Sequence, residues 1–209
     1  MAAPFWSDQL ARGLEAMGVP LEAETRRRLL AYLDLLYRWN RAYNLTAVRD
    51  PRQAVPRQLL DSLSILPLLT GRRILDLGSG GGLPGVPLAL ARPELSFVLL
   101  DSGLKKVRFL RQVKLTLGLD NVAVVQARAE SYHPSAPFDL IVSRAFAPLD
   151  RMVAVSRHLL APEGAWLAMK GKAPQAELAA LGAGWRARVV PLEVPGETGA
   201  RHAVRLQRA

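Results

Sequence analysis

The sequence predicts an α/β protein with a mostly parallel seven-stranded sheet, an antiparallel hairpin at its C-terminal edge and an N-terminal helical extension. Three observations lead to this class. Apolar residues recur at helical spacing before Thr70, and short continuous apolar runs alternate with helical stretches after it. The last two runs are joined by PGETG with no helix between them, as in a hairpin. We expect residues 1–70 to form the extension and residues 71–209 the α/β domain, packed as one unit.

The extension is expected to contain three helices. A short helix is capped by Ser7 and stopped by Gly18. A longer one covers 22–39, where leucines recur on one side. After a turn at Asp50-Pro51, a third helix is expected over 58–69.

The strands of the second part are predicted from short apolar runs, as expected when helices cover both faces of a parallel sheet. The clearest helices between them are 103–117 and 149–160. The last two runs form the hairpin. The expected strands are 73–77, 95–101, 122–126, 140–143, 165–169, 185–194 and 201–207.

The charge balance favours polyanionic partners. Lys and Arg number 28 against 18 Asp and Glu, giving a net charge of +10. Such an excess indicates nucleic acid first and an acidic membrane second. The alternative is a basic surface that is simply solvated.

Composition also excludes several classes of site. The chain has no cysteine, which removes disulfides, thiolate zinc sites and a cysteine nucleophile, and is compatible with a reducing cytoplasm. No apolar run approaches the roughly 20 residues of a membrane helix. The N-terminal stretch contains acidic residues and lacks the apolar core of a signal peptide. We therefore expect a cytoplasmic protein without a membrane partner.

The stretch ILDLGSGGGLPGVPLAL joins the first predicted strand to a helix through a cluster of glycines. Ligands of such sheets bind at the carboxyl ends of the strands, and glycines there let ligand atoms touch the backbone. A dinucleotide fingerprint would need a third glycine where Leu83 stands, so that match fails. The stretch that remains is D-x-G-x-G-x-G, from Asp76 through Gly78, Gly80 and Gly82.

This stretch resembles motif I of the class I S-adenosylmethionine (AdoMet) methyltransferases. Asp76 can then face the ammonium end of the ligand, directly or through water. Asp101 ends the next strand, where an acid can hold both ribose hydroxyls, as in dinucleotide sites. The alternative is a glycine-rich turn with an unrelated surface aspartate.

AdoMet carries an already activated methyl group, so the nucleophile decides what else the site needs. The fourth strand, FDLIVSRAFAPL, lacks the N-P-P-Y-like tetrapeptide usual in exocyclic amine methylases. C5-pyrimidine methylases need a cysteine, and the Lys-Asp-Lys-Glu set of ribose methylation would need an Asp at the end of this strand. Guanine N7 has a free lone pair and no proton to remove, so a site without an evident general base is consistent with N7 chemistry.

Seven segments, in order, resemble the RsmG (GidB) family of bacterial 16S rRNA (guanine-N7)-methyltransferases. They span nearly the whole chain: WNRAYNLTAV, RQLLDSL, LDLGSGGGLPGVPLAL, LLDSGLKKVRFLRQV, SRAFAPL, MKG and RHAV. The resemblance implies AdoMet as cofactor, S-adenosylhomocysteine as product, and 16S rRNA or the small ribosomal subunit as partner. It also leads us to expect a monomer without a metal.

The resemblance implies AdoMet contacts at Gly78, Leu83, Ala129, Glu130 and Arg144. Two of these residues have other interpretations, since Glu130 can cap a helix near Ser131 and Arg144 can belong to a buried salt bridge. With the motif residues, the expected cofactor set is Asp76, Gly78, Gly80, Gly82, Leu83, Asp101, Ala129, Glu130 and Arg144.

One position departs from the family. Its usual Arg-His-x-Leu-Asp-Ser stretch reads RQLLDS here, with Gln58 in place of His. A role for this position in catalytic proton transfer is therefore not expected, whereas a hydrogen-bonding role is compatible with glutamine. His202, in the late Arg-His pair, is expected to be structural.

The expected catalytic residues are Arg144, Lys170, Arg128 and Asn44. The first three are expected to orient RNA or cofactor. Asn44 can cover the cofactor or read a base edge, and can equally be a helix cap. Three basic clusters can contact phosphates or be merely solvated. They are Lys105, Lys106, Arg108, Arg111 and Lys114; Arg26, Arg27 and Arg28; and Arg49, Arg52 and Arg57. Trp39, Tyr43 and Phe146 can stack a splayed guanine, with a helical core role favoured for Trp39.

Two rival functions come from other classes. A noncatalytic RNA-binding or ribosome-assembly protein could retain this fold and would bind neither AdoMet nor S-adenosylhomocysteine. An NAD-dependent oxidoreductase is disfavoured by Leu83 and by the basic surface.

Overall fold

Apolar runs form the predicted sheet in a computed structural model that describes residues 5–172 and 174–209. The strands are β1 (Arg73–Leu77), β2 (Ser96–Asp101), β3 (Val122–Gln126), β4 (Phe138–Arg144), β5 (Leu160–Lys170), β6 (Trp185–Pro191) and β7 (His202–Arg208). They form one sheet in the order β3-β2-β1-β4-β5-β7-β6. The first five are parallel, whereas β7 pairs antiparallel with β5 and with β6. The predicted fold class is confirmed.

Successive side chains of a strand point to opposite faces of the sheet, and in these strands both sets are apolar. Helices therefore cover both faces. The helices of the domain are α4 (Gly85–Ala91), α5 (Leu104–Leu117), α6 (Leu149–Ser156) and α7 (Gln175–Ala180). Ile74 and Phe97 point into one core, with α4 and α5, while Leu75 and Val98 point into the other, with α6. The order of the strands places the carboxyl ends of β1 and β4 side by side at one edge.

The extension packs on the α4–α5 face. Its helices α1 (Phe5–Ala16) and α2 (Ala23–Tyr43) share a single apolar cluster with β1, β2, α4 and α5. Tyr32 of α2 is fully buried, and its hydroxyl donates to the Gly81 carbonyl at 2.7 Å. The extension therefore contacts the glycine loop directly. Its division from the domain at residue 70 stays a prediction.

The third predicted helix was wrong in extent and type. Residues Val55–Leu60 form π-helical turns, α3 (Asp61–Leu63) adds one α-turn, and a separate 3-10 turn covers Leu66–Leu68. Pro67 lies within the 3-10 turn and lacks the N–H that a continuous α-helix would need there.

Other element ends also differ from expectation. Helix α1 begins at Phe5, so Ser7 lies inside the helix and does not cap it. Helix α6 ends at Ser156, because Leu160 already belongs to the long strand β5. Helix α7 was not predicted. Within the described residues, no helix is both long and apolar enough to cross a bilayer.

Candidate active site

A cavity of about 510 Å³ opens at the carboxyl ends of β1, β4 and β5. Its walls come from four regions: the glycine loop, the residues that end β4 and β5, the segment 45–48 with 57–61 of the extension, and the start of β7. Five of the expected site residues line it: Gly78, Gly80, Leu83, Arg144 and Lys170. The fold thus brings together residues from distant parts of the chain.

At Gly80 the glycine loop presents bare backbone to the cavity, whereas Phe146 packs on Gly78 and Val86 on Gly82. Gly78, Gly80 and Gly82 all have positive φ, between 56° and 89°, which L-residues rarely adopt. The Gly78 and Ser79 N–H groups both donate to the Leu100 carbonyl, at 2.9 and 3.1 Å, and fix the loop on β2. The space in front of Gly80 is open, because a Cβ there would meet no atom closer than the Gly78 carbonyl at 3.9 Å.

Asp101 holds this loop in place from the end of β2. One carboxylate oxygen accepts from the Gly80 N–H at 2.9 Å and the other from the Gly103 N–H at 2.8 Å. Lys106 lies 3.6 Å from the first oxygen. Each carboxylate oxygen has a second lone pair, so ribose hydroxyls can be held without breaking these bonds. Asp101 does not line the cavity, and its ribose contact stays a prediction.

Asp76 lies beneath the loop and does not line the cavity. Its side chain is fully buried, and Oδ2 accepts from the Gly85 N–H at 3.0 Å. Its Oδ1 has no hydrogen-bond partner. Burial raises the pKa of Asp76 to about 7 against the lowering effect of Gly85 and Ser79. The unsatisfied oxygen can attract a cationic ligand group above the loop, although other atoms lie between them.

Arg144 is held at the end of β4 by the extension. Its NH1 donates to Asp61 Oδ2 and to the Arg57 carbonyl, both at 2.9 Å, and its NH2 donates to Gln58 Oε1 at 3.0 Å. Three of the five guanidinium N–H groups are used, so two remain for an incoming anion. Arg144 therefore makes the buried salt bridge and can also present donors to the cavity.

Gln58 takes the hydrogen-bonding role that its position allowed. It is buried, accepts from Arg144, and donates through Nε2 to Thr46 Oγ1 at 2.5 Å. An amide offers both an acceptor and a donor without titrating near neutral pH. The segment 45–48 is thereby tied to the residue that ends β4.

Asp61 is a central residue of the site that sequence reasoning did not assign. It is 4% exposed and lies between two arginines, with Arg144 at 2.9 Å and Arg201 at 3.2 Å. Arg201 also pairs with Glu197 at 2.9 Å, and Glu197 lies 3.1 Å from Arg57. A buried carboxylate between two guanidiniums orients both through charge-assisted contacts. The one available signal was its place within RQLLDSL.

Lys170 lines the cavity, but its ammonium is engaged by protein. It donates to Glu177 Oε2 at 2.8 Å and to the Ala147 carbonyl at 3.0 Å. Glu177 Oε2 also accepts from the Leu149 N–H at 2.8 Å, at the start of α6. Lys170 and Glu177 therefore anchor the loop between β4 and α6. Glu177 was missed because no helix had been predicted there.

The other expected residues do not line the cavity, and Gly82 among them faces Val86 and Leu110 in the core. Ala129 is buried and Glu130 exposed in a 3-10 turn after β3, where Glu130 pairs with Arg151 at 2.9 Å. Arg128 is exposed at the start of that turn. Asn44 is the C-terminal cap of α2 and has a left-handed backbone, which agrees with the capping alternative. Cofactor or RNA contacts by these residues stay predictions.

Among residues 5–172 and 174–209, no three His, Asp or Glu side chains are grouped to hold a metal ion. The arrangement at the strand ends is instead a backbone cradle beside fixed cations. Such a site can hold a ligand with both anionic and polar groups and orient a second molecule against it.

Comparisons with known proteins agree with this architecture. The chain is similar over its full length to ribosomal RNA small subunit methyltransferase G of Marinobacter nauticus, with 54% identity over 210 residues that cover 98% of that protein. A putative O-methyltransferase from Klebsiella pneumoniae has the same fold, with a TM-score of 0.63, 16% identity and 98% coverage of both chains. The O-methyltransferase TomG of Streptomyces achromogenes, solved with SAM, gives 0.57 and 16% identity, covering 85% of this chain and 89% of TomG.

The family description "GidB: rRNA small subunit methyltransferase G" matches residues 25–204. This range includes the glycine loop, Arg144, Lys170 and most of the helical extension. The match and the identity of the relative confirm the resemblance found in the sequence. The chain belongs to the GidB family, the rRNA small subunit methyltransferases G.

Proposed function

We propose that this protein transfers the methyl group of AdoMet to N7 of a guanine in bacterial 16S rRNA. The observation that carries the proposal is the cavity at the strand ends, where bare glycine backbone faces Arg144 and Lys170. Membership of a small-subunit rRNA methyltransferase family supports the reaction class and the RNA.

The cofactor fits the residues present. Gly80 offers open backbone without a Cβ atom, and Asp101 retains lone pairs for ribose hydroxyls. Asp76 Oδ1 is an unsatisfied buried acceptor beneath the loop, and we propose that it acts on the cationic amino-acid end through intervening atoms. Leu83 lines the cavity, whereas the proposed contacts of Ala129 and Glu130 lie beyond it, on the turn after β3.

AdoMet, when bound, supplies a methyl group already activated by its sulfonium. The chain has little proton chemistry to perform, because N7 attacks through a free lone pair. Its residues position the two reactants and exclude water. Arg144, fixed by Asp61 and Gln58, keeps two N–H groups for a carboxylate or an RNA phosphate. S-adenosylhomocysteine and a cationic 7-methylguanine are the products.

RNA is proposed to approach along α5. The α5 basic face comprises Lys105, Lys106, Arg108, Arg111 and Lys114, and the helix contains no acidic residue. Lys106 lines the cavity, so the face begins at its mouth. Exposed cations in a row bind phosphates through counterion release.

The other two basic clusters are more engaged within the protein. Arg27 pairs with Glu24 at 2.7 Å, and Arg28 donates to the Leu117 carbonyl. Arg57 pairs with Glu197. The α5 basic face is therefore the preferred RNA surface.

We further propose a cytoplasmic monomer, because 16S rRNA is a cytoplasmic substrate in bacteria and the cavity is built within one chain. The test is transfer of labelled methyl from AdoMet to 16S rRNA and to small subunits, followed by nucleoside analysis. Label in 7-methylguanine is expected. A noncatalytic assembly protein would bind RNA yet give no label and no calorimetric signal with AdoMet.

A further inference from the structure

The loop after β4 places an aromatic ring against the glycine loop. Phe146 is 38% exposed, and a Cβ on Gly78 would lie only 2.4 Å from its Cδ2. The ring therefore packs on bare Gly78 backbone. The cavity is lined by Gly78, which the Phe146 ring contacts, and by Ala145, which precedes Phe146 in the chain. We propose that Phe146 is the stacking face for the target guanine, an inference that rests on the proposed function.

The loop is held in an unfavourable conformation. Ala145 has φ of 53°, a left-handed conformation that non-glycine residues rarely adopt. Such backbone persists only where surrounding contacts over-determine it, and it is concentrated at functional sites. Here it turns the chain so that Phe146 follows directly behind Arg144 at the cavity rim.

Contacts on both sides of Ala145 supply that constraint. Arg144 is fixed by Asp61 and Gln58. On the other side, Lys170 donates to the Ala147 carbonyl, and Glu177 accepts from the Leu149 N–H. The position of Phe146 is therefore set from both ends of the loop, with one anchor from the extension and the other from β5 and α7.

The other aromatic candidates are placed differently. The rings of Trp39 and Tyr43 lie 5.2 Å apart, and Trp39 also packs on Phe109 at 5.5 Å. Lys105 lies over Tyr43 at 6.0 Å. None of the three rings lines the cavity itself, but Phe146 packs on Gly78, which does, whereas Trp39 packs on Tyr43 and Phe109. The structure favours Phe146 over both.

Stacking suits the chemistry of N7. The lone pair of N7 lies in the plane of the base, so the methyl donor must approach along that plane. A ring against the flat face fixes the plane and leaves the N7 edge free, whereas a hydrogen bond to N7 would occupy the nucleophile. An exposed ring packed on Gly78 would hold the base beside the expected cofactor wall.

The test compares Phe146→Leu with Phe146→Tyr in the full chain. Loss of one aromatic stacking contact corresponds to a drop of about 5- to 150-fold. We expect Phe146→Leu to lower kcat/KM for small subunits within this range while the calorimetric Kd for AdoMet changes less than about threefold. Phe146→Tyr should keep most of the activity. The matched control is Phe5→Leu, because Phe5 of α1 is similarly exposed, at 42%. This variant should behave as wild type.

Three results would overturn the inference. The first is unchanged kcat/KM in Phe146→Leu. The second is a weaker AdoMet Kd that accounts for the whole loss, which would assign the ring to the cofactor. The third is equal loss in the tyrosine variant. If the wild-type protein labels a nucleoside other than 7-methylguanosine, the proposed function is wrong instead. The same variants would still show whether the labelled base stacks on Phe146.

Discussion

Asp61 and Arg144, which are 83 positions apart in the chain, form an ion pair of 2.9 Å in the wall of the cavity. Asp61 is buried, and Arg201 lies 3.2 Å from its other oxygen. A carboxylate from the extension therefore orients two cations of the methyltransferase domain. The helical extension is part of the site, not an accessory beside it.

Asp61→Asn should both destabilise the fold and impair the reaction. Removing one partner of a largely buried ion pair leaves the arginines uncompensated, and we expect a loss of about 2–4 kcal/mol in the free energy of unfolding. A displaced Arg144 should lower kcat/KM about tenfold or more. Urea unfolding and methyl transfer measure the two effects.

The control for this change is Glu24→Gln, which breaks the exposed pair with Arg27 on α2. Solvent screens an exposed pair, so stability and activity should stay near wild type. Equal stability of Asp61→Asn and wild type would contradict the proposed role of Asp61.

Reversing charge on the α5 basic face should weaken RNA binding and flatten its salt dependence. Each neutralised phosphate contributes about 0.7–0.9 to the slope of log K against log salt. Lys105→Glu with Arg108→Glu should therefore reduce that slope by up to about 2. Filter binding of 16S rRNA fragments at several salt concentrations measures it.

The matched control is Arg186→Glu with Arg188→Glu on β6, at the opposite edge of the sheet from β3. This double variant has the same change in net charge. A salt slope reduced equally by both double variants would show only a net-charge effect and remove α5 from the RNA surface.

Asp76 should make stability fall as pH rises from about 4 to about 7. Its pKa is raised to about 7 in the folded protein from 3.8, so the folded state binds more protons in this window. By linkage, stability attributable to Asp76 is fully present below its unfolded pKa and is lost as pH rises through the folded pKa. The total is on the order of 4 kcal/mol at most.

Asp76→Asn keeps the size of the side chain and removes the titration. Relative to wild type, the variant should gain stability steadily from pH 4 to pH 7 and then level off. Urea unfolding across this range measures the difference, in which the titrations of other groups cancel. Parallel pH profiles would show that Asp76 titrates normally in the fold.

Local pattern predicted much of the fold. Strands β1 and β3 have the expected bounds, because both are short apolar runs with clear ends. The third helix was wrong because proline chemistry and tertiary packing override periodicity around Pro56 and Pro67. Helix α7 has no buried residue, so it carried no apolar stripe from which to predict it.

The site was predictable where one motif supplies it. Gly78, Gly80 and Arg144 line the cavity as expected from the sequence segments. The pairing of Asp61 with Arg144 depends on a contact between distant segments, which no periodicity encodes. The engagement of Lys170 by Glu177 likewise depends on how α7 packs.

The central claim is that the glycine loop lies against AdoMet, and one pair of variants tests it most directly. Gly80 and Gly118 both have left-handed backbone, with φ of 56° and 60°, and both face open space. Alanine at either position carries similar backbone strain, about 1 kcal/mol or somewhat more. Only Gly80 lines the cavity.

We predict that Gly80→Ala weakens the calorimetric Kd for AdoMet at least about tenfold, equivalent to about 1.4 kcal/mol, because its methyl group enters the cofactor's space. Gly118→Ala should bind AdoMet as wild type does. Wild-type affinity in Gly80→Ala, in protein shown to be folded, would contradict a cofactor on this loop.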